Sequence, residues 1–174
     1  MDGERAQMSY DRREEIMTHL ETITLPNVTG IKGVFRNRSE LPPSDKTPGI
    51  ILLDGTEKQK TSFEDRNFTG QPPAMFTLYP QVILALTPRT DPDNTLLPDG
   101  TVLPVGQELS AFRMLIVNAM TNDENLVAIV GDNGSVFYTG FESDMQNGST
   151  IGSLGAVMQL SFAITYLLAP RELT

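Results

Sequence analysis

Catalysis needs groups that titrate, attack or ligate near neutral pH, and this chain carries few. His19 is its one imidazole, and it has no cysteine and no tryptophan. His19 falls on a helical pattern beside Thr18, opposite part of the apolar stripe. With no partner legible for acid–base work, it reads as a solvated surface histidine. Thiolate nucleophiles and thiolate metal sites are excluded, and no serine sits in a strand–turn–helix elbow. Carboxylates are plentiful, 22 against 13 Lys and Arg, so paired Asp/Glu catalysis is an open alternative. Most of them fall in loops or at helix starts, where Glu14 and Glu15 suit the helix dipole. Asp91-Pro92-Asp93-Asn94 shares some vocabulary with a calcium loop but lacks the Asp-x-Asp-x-Asp-Gly order and the bidentate Glu at position twelve. Gly30 and Gly33 precede no helix N-terminus that could cradle a phosphate. The expectation is therefore no catalytic, cofactor-binding or metal-ligating set.

The remaining polar chemistry points to surfaces. Lys32, Arg36 and Arg38 form a basic cluster at a strand end and in the loop after it. It could hold a phosphate; counter-charge on an acidic surface, or a salt bridge to a neighbouring subunit, is the better reading. The formal net charge is −9, and affinity for a nucleic-acid backbone comes mostly from Lys and Arg. Sequence-specific nucleic-acid binding is not expected. The acidity serves solubility, or a surface that nucleic acid passes without sticking.

At 174 residues the chain fits one domain able to bury its own core without disulfides or metals. No apolar stretch approaches the roughly 20 residues of a membrane span. The polar, charged start MDGERAQMSYDRREE reads as lacking a secretory signal, and the Asn-x-Ser/Thr sequons are taken as chance. The organisation expected is a flexible arm at 1–9 and one α+β domain at 10–174.

Within it, Asp11 and Glu14 make a capping-box spacing. Ile16, Met17, Leu20 and Ile23 then give one apolar helical face, ended by Pro26. Ile31 to Phe35 reads as a strand. Gly49 to Leu53 reads as a strand buried on both faces, closed by Asp54-Gly55. A long polar loop at 54–75 carries Phe63 and Phe68, either folded back on the body or free to anchor a partner. Met75 to Leu86 is a strand with Leu78, Val82 and Leu84 inward and a bulge or edge at Pro80. A second long segment at 87–106 holds Asp99-Gly100 between Leu96-Leu97 and Val102-Leu103, the pattern of a projecting hairpin. Helices follow at Gln107 to Met120, with Leu109, Phe112, Leu115, Ile116 and Ala119 inward, and after Asn122 or Asp123, stopping at Gly131. Strands are expected at Ser135 to Glu142 and Val157 to Leu168, joined by a Gly/Ser-rich connection. The fold class is α+β: a four- to five-stranded, mainly antiparallel or mixed sheet with an N-terminal helix and two further helices packed on it. Long loops are uncommon in compact domains unless functional. The candidate interface residues are thus Phe63, Phe68, Leu96, Leu97, Asp99, Arg36 and Arg38.

Several segments in this order resemble the tail terminator or tail-completion proteins of tailed bacteriophages. They are RREEIMTHLETI with VFRNRSELP, then GIILLDGTE and MFTLYPQVIL. LSAFRMLIVNAMTNDENLVAIVGDNGSVFYTGFESD and QLSFAITYLLAP follow. The resemblance covers most of residues 10–173 and includes no catalytic signature. It implies a structural virion protein, assembled in the host cytoplasm and resident in the tail or neck. Such subunits typically form a ring of six that caps the tail tube and ends its polymerisation. The ring joins the tube to head-completion proteins while DNA passes through its lumen. The implied partners are further copies of the chain, the tube protein and a neck protein; no membrane and no cofactor are implied. A head–tail adaptor or stopper is the alternative within the neck. A small metal-dependent hydrolase or a soluble binding module is the alternative outside it.

Overall fold

The structure is a computed structural model describing residues 11–60, 74–87, 94–131, 134–144 and 156–168. The expected arm at 1–9, Phe63, Phe68 and Asp91 to Asp93 lie outside the described residues.

The chain opens with helix α1 (Arg12–His19), continued by a π-helical turn (Leu20–Thr24). Asp11 caps α1 by accepting from the Glu14 N–H at 3.3 Å. The π turn closes through the Leu25 N–H on the Leu20 carbonyl. This wider turn adds a residue and slips the apolar phase. Ile16, Met17 and Leu20 are fully buried as expected, but Ile23 is 45% exposed and Thr24 and Leu25 take its place inside.

Strand β1 (Gly33–Arg36) pairs in parallel with β2 (Gly49–Lys60). Strand β3 (Ala74–Ala85) runs antiparallel to β2. A separate hairpin, β4 (Asn94–Leu96) and β5 (Val102–Pro104), leads into helix α2 (Val105–Thr121). Helix α3 (Glu124–Val130) precedes β6 (Ser135–Asp144) and β7 (Val157–Leu168). The last strand inserts between β3 and β6, so the mixed sheet runs β1-β2-β3-β7-β6. The chain is therefore α+β, with a five-stranded mixed sheet and helices packed on it.

Alternation dictates the core. Leu160, Phe162, Ile164 and Tyr166 of β7 join Leu78, Val82 and Leu84 of β3, and Ile50 and Leu52 of β2, in one buried cluster with the helices' inner residues. Tyr138 and Phe162 pack their rings 5.7 Å apart across the β6–β7 ladder. The IILL run is buried on both faces at Ile50, Ile51 and Leu52, as its unbroken apolarity predicts.

Several details differ from expectation. Asp54-Gly55 does not close β2: the strand continues to Lys60, and the pair forms a bulge opposite Pro80. Pro80 has no N–H for the ladder. The β3–β7 ladder skips it too, and the β6–β7 register shifts at the same level, between Tyr138 and Gly140. Residues 54–60 and 74–75 of the expected loop are therefore strand, and Pro80 marks a bulge in an inner strand rather than an edge. On α2, Leu115 is 42% exposed; Val105, Leu109, Ile116 and Met120, spaced by four, seven and four, are the buried stripe. The segment at 87–106 contains the expected hairpin strands on either side of its turn.

Candidate functional site

The hairpin expected around Asp99-Gly100 is present. Leu96 pairs with Val102 and Thr95 with Leu103. The turn is closed by the Gly100 N–H on the Leu97 carbonyl at 2.9 Å and the Leu97 N–H on the Thr101 carbonyl at 2.8 Å. Asp99 accepts from the Thr101 N–H at 2.9 Å, which holds its carboxyl below the ordinary aspartate value. Gly100 has φ +85°, and a side chain there would meet nothing within 4 Å. At the base, the Thr95 hydroxyl donates to Glu108 of α2 at 2.5 Å, tying the hairpin to the helix it introduces. Leu96 is 73% exposed and Val102, its cross-strand partner, 57%. Partners in an antiparallel pair share a face, so the hairpin presents two adjoining aliphatic side chains to solvent. Leu97 is half-buried, and Asp99 is exposed at the tip. Val102 was missed by sequence reasoning although strict alternation across the turn places it opposite Leu96.

Arg36 and Arg38, grouped with the hairpin as interface candidates, behave differently. Arg36 forks onto Asp54, Nε to Oδ1 and Nη2 to Oδ2, both at 2.7 Å. It also grips Glu14 of α1 at 2.6 and 2.8 Å, and Arg13 reaches Asp54 at 3.2 Å. The hydrogen bonds from Arg36 hold both carboxyls below their ordinary values, and the same carboxylates raise the guanidinium further above its own. Asn37, at φ 51°, accepts the Asp54 N–H through its side chain. The guanidinium is thus internal cement joining α1, β1 and β2. Glu14, on the first turn of α1, is paired with it. Arg38 lies over the Phe35 ring, 5.0 Å from its centroid, and 3.9 Å from Glu40.

His19 is the clearest correction. Its side chain is 12% exposed, and Nε2 lies 2.8 Å from Asp123 Oδ2. The Thr24 hydroxyl donates to the same oxygen at 2.6 Å. Asp123 Oδ1 accepts from the N–H groups of Asn125 and Leu126, capping α3. Burial opposes ionisation of Asp123, but hydrogen bonds from Thr24, Leu126 and His19 outweigh it and keep its carboxyl below the ordinary value. Residues i and i+5 of an α-helix lie well apart around the axis; the π turn brings His19 and Thr24 onto one carboxylate. No sequence spacing announces a π turn, so this contact was illegible in advance. The buried Thr24 hydroxyl is a donor here, and the cluster is a helix-to-helix clasp.

Two further features bear on surfaces. Neither β3 nor β7, the two strands at the middle of the sheet beside β2, carries a charged residue on either face. Their outward residues, among them Gln81, Ile83, Gln159 and Ala163, are half-buried. Phe137, across from Ala163 on β6, is 63% exposed. Among the described residues no group of three or more His, Asp or Glu could hold a metal ion. No described helix is long and apolar enough to cross a membrane. Comparison with protein-family models and with curated proteins found no match to this chain.

Proposed function

We propose that this chain is a structural assembly protein of a tailed-phage neck, a tail terminator whose copies form a ring on the tail tube. The observation that carries the reading is the hairpin β4–β5, which is braced at its base and offers Leu96 and Val102 to solvent. A monomer gains nothing by holding two adjoining aliphatic residues in water on an ordered ribbon; a partner surface does. The internal pairing of Arg36, Glu14, Asp54, His19 and Asp123 supports the same view, since these groups brace the fold. In this reading the work is geometric: rigid subunits close a ring through unlike faces, and the ring end stops tube growth.

The test is polymerisation of purified tube protein with and without the chain, followed by electron microscopy. Short tubes bearing a ring at one end are expected. Tubes of unchanged length with the chain absent from their ends would reject the reading, and binding to the portal side alone would make it a stopper.

A further inference from the structure

We infer that residues 1–10 of this chain, outside its described part, add as an antiparallel strand to the open edge of β2, at residues 56–60 of the same copy. Such a contact covers an exposed sheet edge in each subunit, whatever assembly the subunit enters.

Strands of unequal length create the edge. β1 pairs with β2 only from Gly33 opposite Gly49 to Arg36 opposite Leu52, and β2 continues to Lys60. β3 pairs with residues 56–60 on one side. Among the described residues no strand lies on the other. Alternate residues there turn their N–H and C=O groups to the open side. Residues 55–59 are all exposed. An edge of this kind is a template for a further strand.

The start of α1 lies where this edge begins. Arg13 reaches Asp54 at 3.2 Å, and Glu14 is gripped by Arg36, the last residue of β1. The Asp11 carboxylate is within Coulombic reach of the Tyr166 hydroxyl, which donates to Glu57. The chain before Asp11 is therefore delivered beside the point where β1 stops. Followed backward along β2, it runs antiparallel to that strand. Residues 1–10 at about 3.3 Å each span about 33 Å, and the edge needs about 17 Å.

Charge and tethering select this occupant. The edge TEKQK has two lysines and one glutamate, and Tyr166 engages that glutamate. On a chain of net −9 it is a basic edge. The segment MDGERAQMSY carries two acids against one arginine. It has no proline, so every residue keeps the N–H a ladder needs. Tethered at Asp11, it meets the edge at an effective concentration of about millimolar, far above that of a free strand in dilute solution.

The chain has no cysteine, so introduced cysteines are clean probes. The full chain with Ala6→Cys and Gln59→Cys, treated with a short bis-maleimide, should link within one copy and keep monomer mass. Ala6→Cys with Val127→Cys, the latter exposed on α3, should link about tenfold more slowly or less. Equal rates, or links only between copies, would overturn the inference. Hydrogen exchange gives a second measurement. In the full chain with Ala6→Pro and Gln7→Pro, the adjacent prolines remove an N–H from whichever residue faces β2. The amides of residues 56–60 should then exchange about tenfold faster or more than in the parent, with the Leu84 amide unchanged. Unchanged exchange at residues 56–60 would mean that the lysines alone guard the edge, and the docking would be rejected.

Discussion

Arg36 makes four hydrogen bonds of 2.6–2.8 Å to two carboxylates on different elements. Its removal would leave Asp54, whose side chain is 15% exposed, with only Arg13 and Asn37. Stripping one partner from a buried pair costs about 3–5 kcal/mol, and solvent screening of the half-exposed Glu14 reduces that. Arg36→Met is expected to lower stability by about 2 kcal/mol, read as a lower urea midpoint at unchanged slope. A shift within about 0.5 kcal/mol would mean the network is surface decoration. Tyr166 is the other tightly held polar group. It is buried, stacks on Phe76 at 6.1 Å and donates its hydroxyl to Glu57, and burial and then that carboxylate push its phenol well above the ordinary value.

At the scale of elements, the bulge and the caps carry the sharpest expectations. Gly55 has φ +67°, and a Cβ there would lie 1.8 Å from the Tyr79 carbonyl oxygen. Gly55→Ala must both strain the backbone and push two strands apart, so about 3 kcal/mol or more should be lost. Gly100→Ala shares the positive φ but meets nothing, and should cost only about 1 kcal/mol. Thermal unfolding of the two variants side by side tests whether the bulge at Pro80 fixes the sheet; equal losses would show that backbone angle alone matters. Asp123→Ala removes the α3 cap and leaves the half-buried His19 and buried Thr24 without their acceptor. A loss of about 2 kcal/mol is expected, with early exchange of the Asn125 and Leu126 amides by hydrogen-exchange NMR. Protection unchanged at those amides would show that the cap is dispensable.

For the whole molecule, the paired carboxylates set an acid limit. Glu14, Asp54 and Asp123 all have folded-state pKa values held below their ordinary ones. A depressed carboxyl contributes stability above its unfolded pKa of about 4, and that contribution disappears as pH falls through the folded value. Stability should therefore fall from about pH 4 downward. The Arg36→Met protein, in which Glu14 and Asp54 lose their main partner, should fall less steeply over the same range. Urea midpoints measured from pH 7 to pH 2 on both proteins decide it; parallel curves would mean that the network does not govern the acid limit.

Periodicity alone determined the elements with strong local signals. The alternation of Val157 to Leu168 gave a strand with those bounds, Asp99-Gly100 between apolar pairs gave the hairpin, and Asp11 and Gly131 marked helix ends. Each signal lies within a few residues, where backbone sterics and side-chain burial act without reference to the rest of the chain. Tertiary structure decided what depends on partners far along the sequence. The β7 strand inserts between β3 and β6 because its inward face completes a core with β3, whose paired residues lie from 72 (Ala85 and Val157) to 94 (Ala74 and Leu168) positions away. Arg36 became internal because Glu14 and Asp54 converge on it, and His19 is half-buried against Asp123, 104 residues on. A π turn moved Ile23 out and Thr24 in, against the 3.6-residue period, since packing against the sheet outweighs one turn's propensity. The outer face of the sheet belongs to the same class. The sequence shows that β3 and β7 lack charge; only their adjacency makes that a surface.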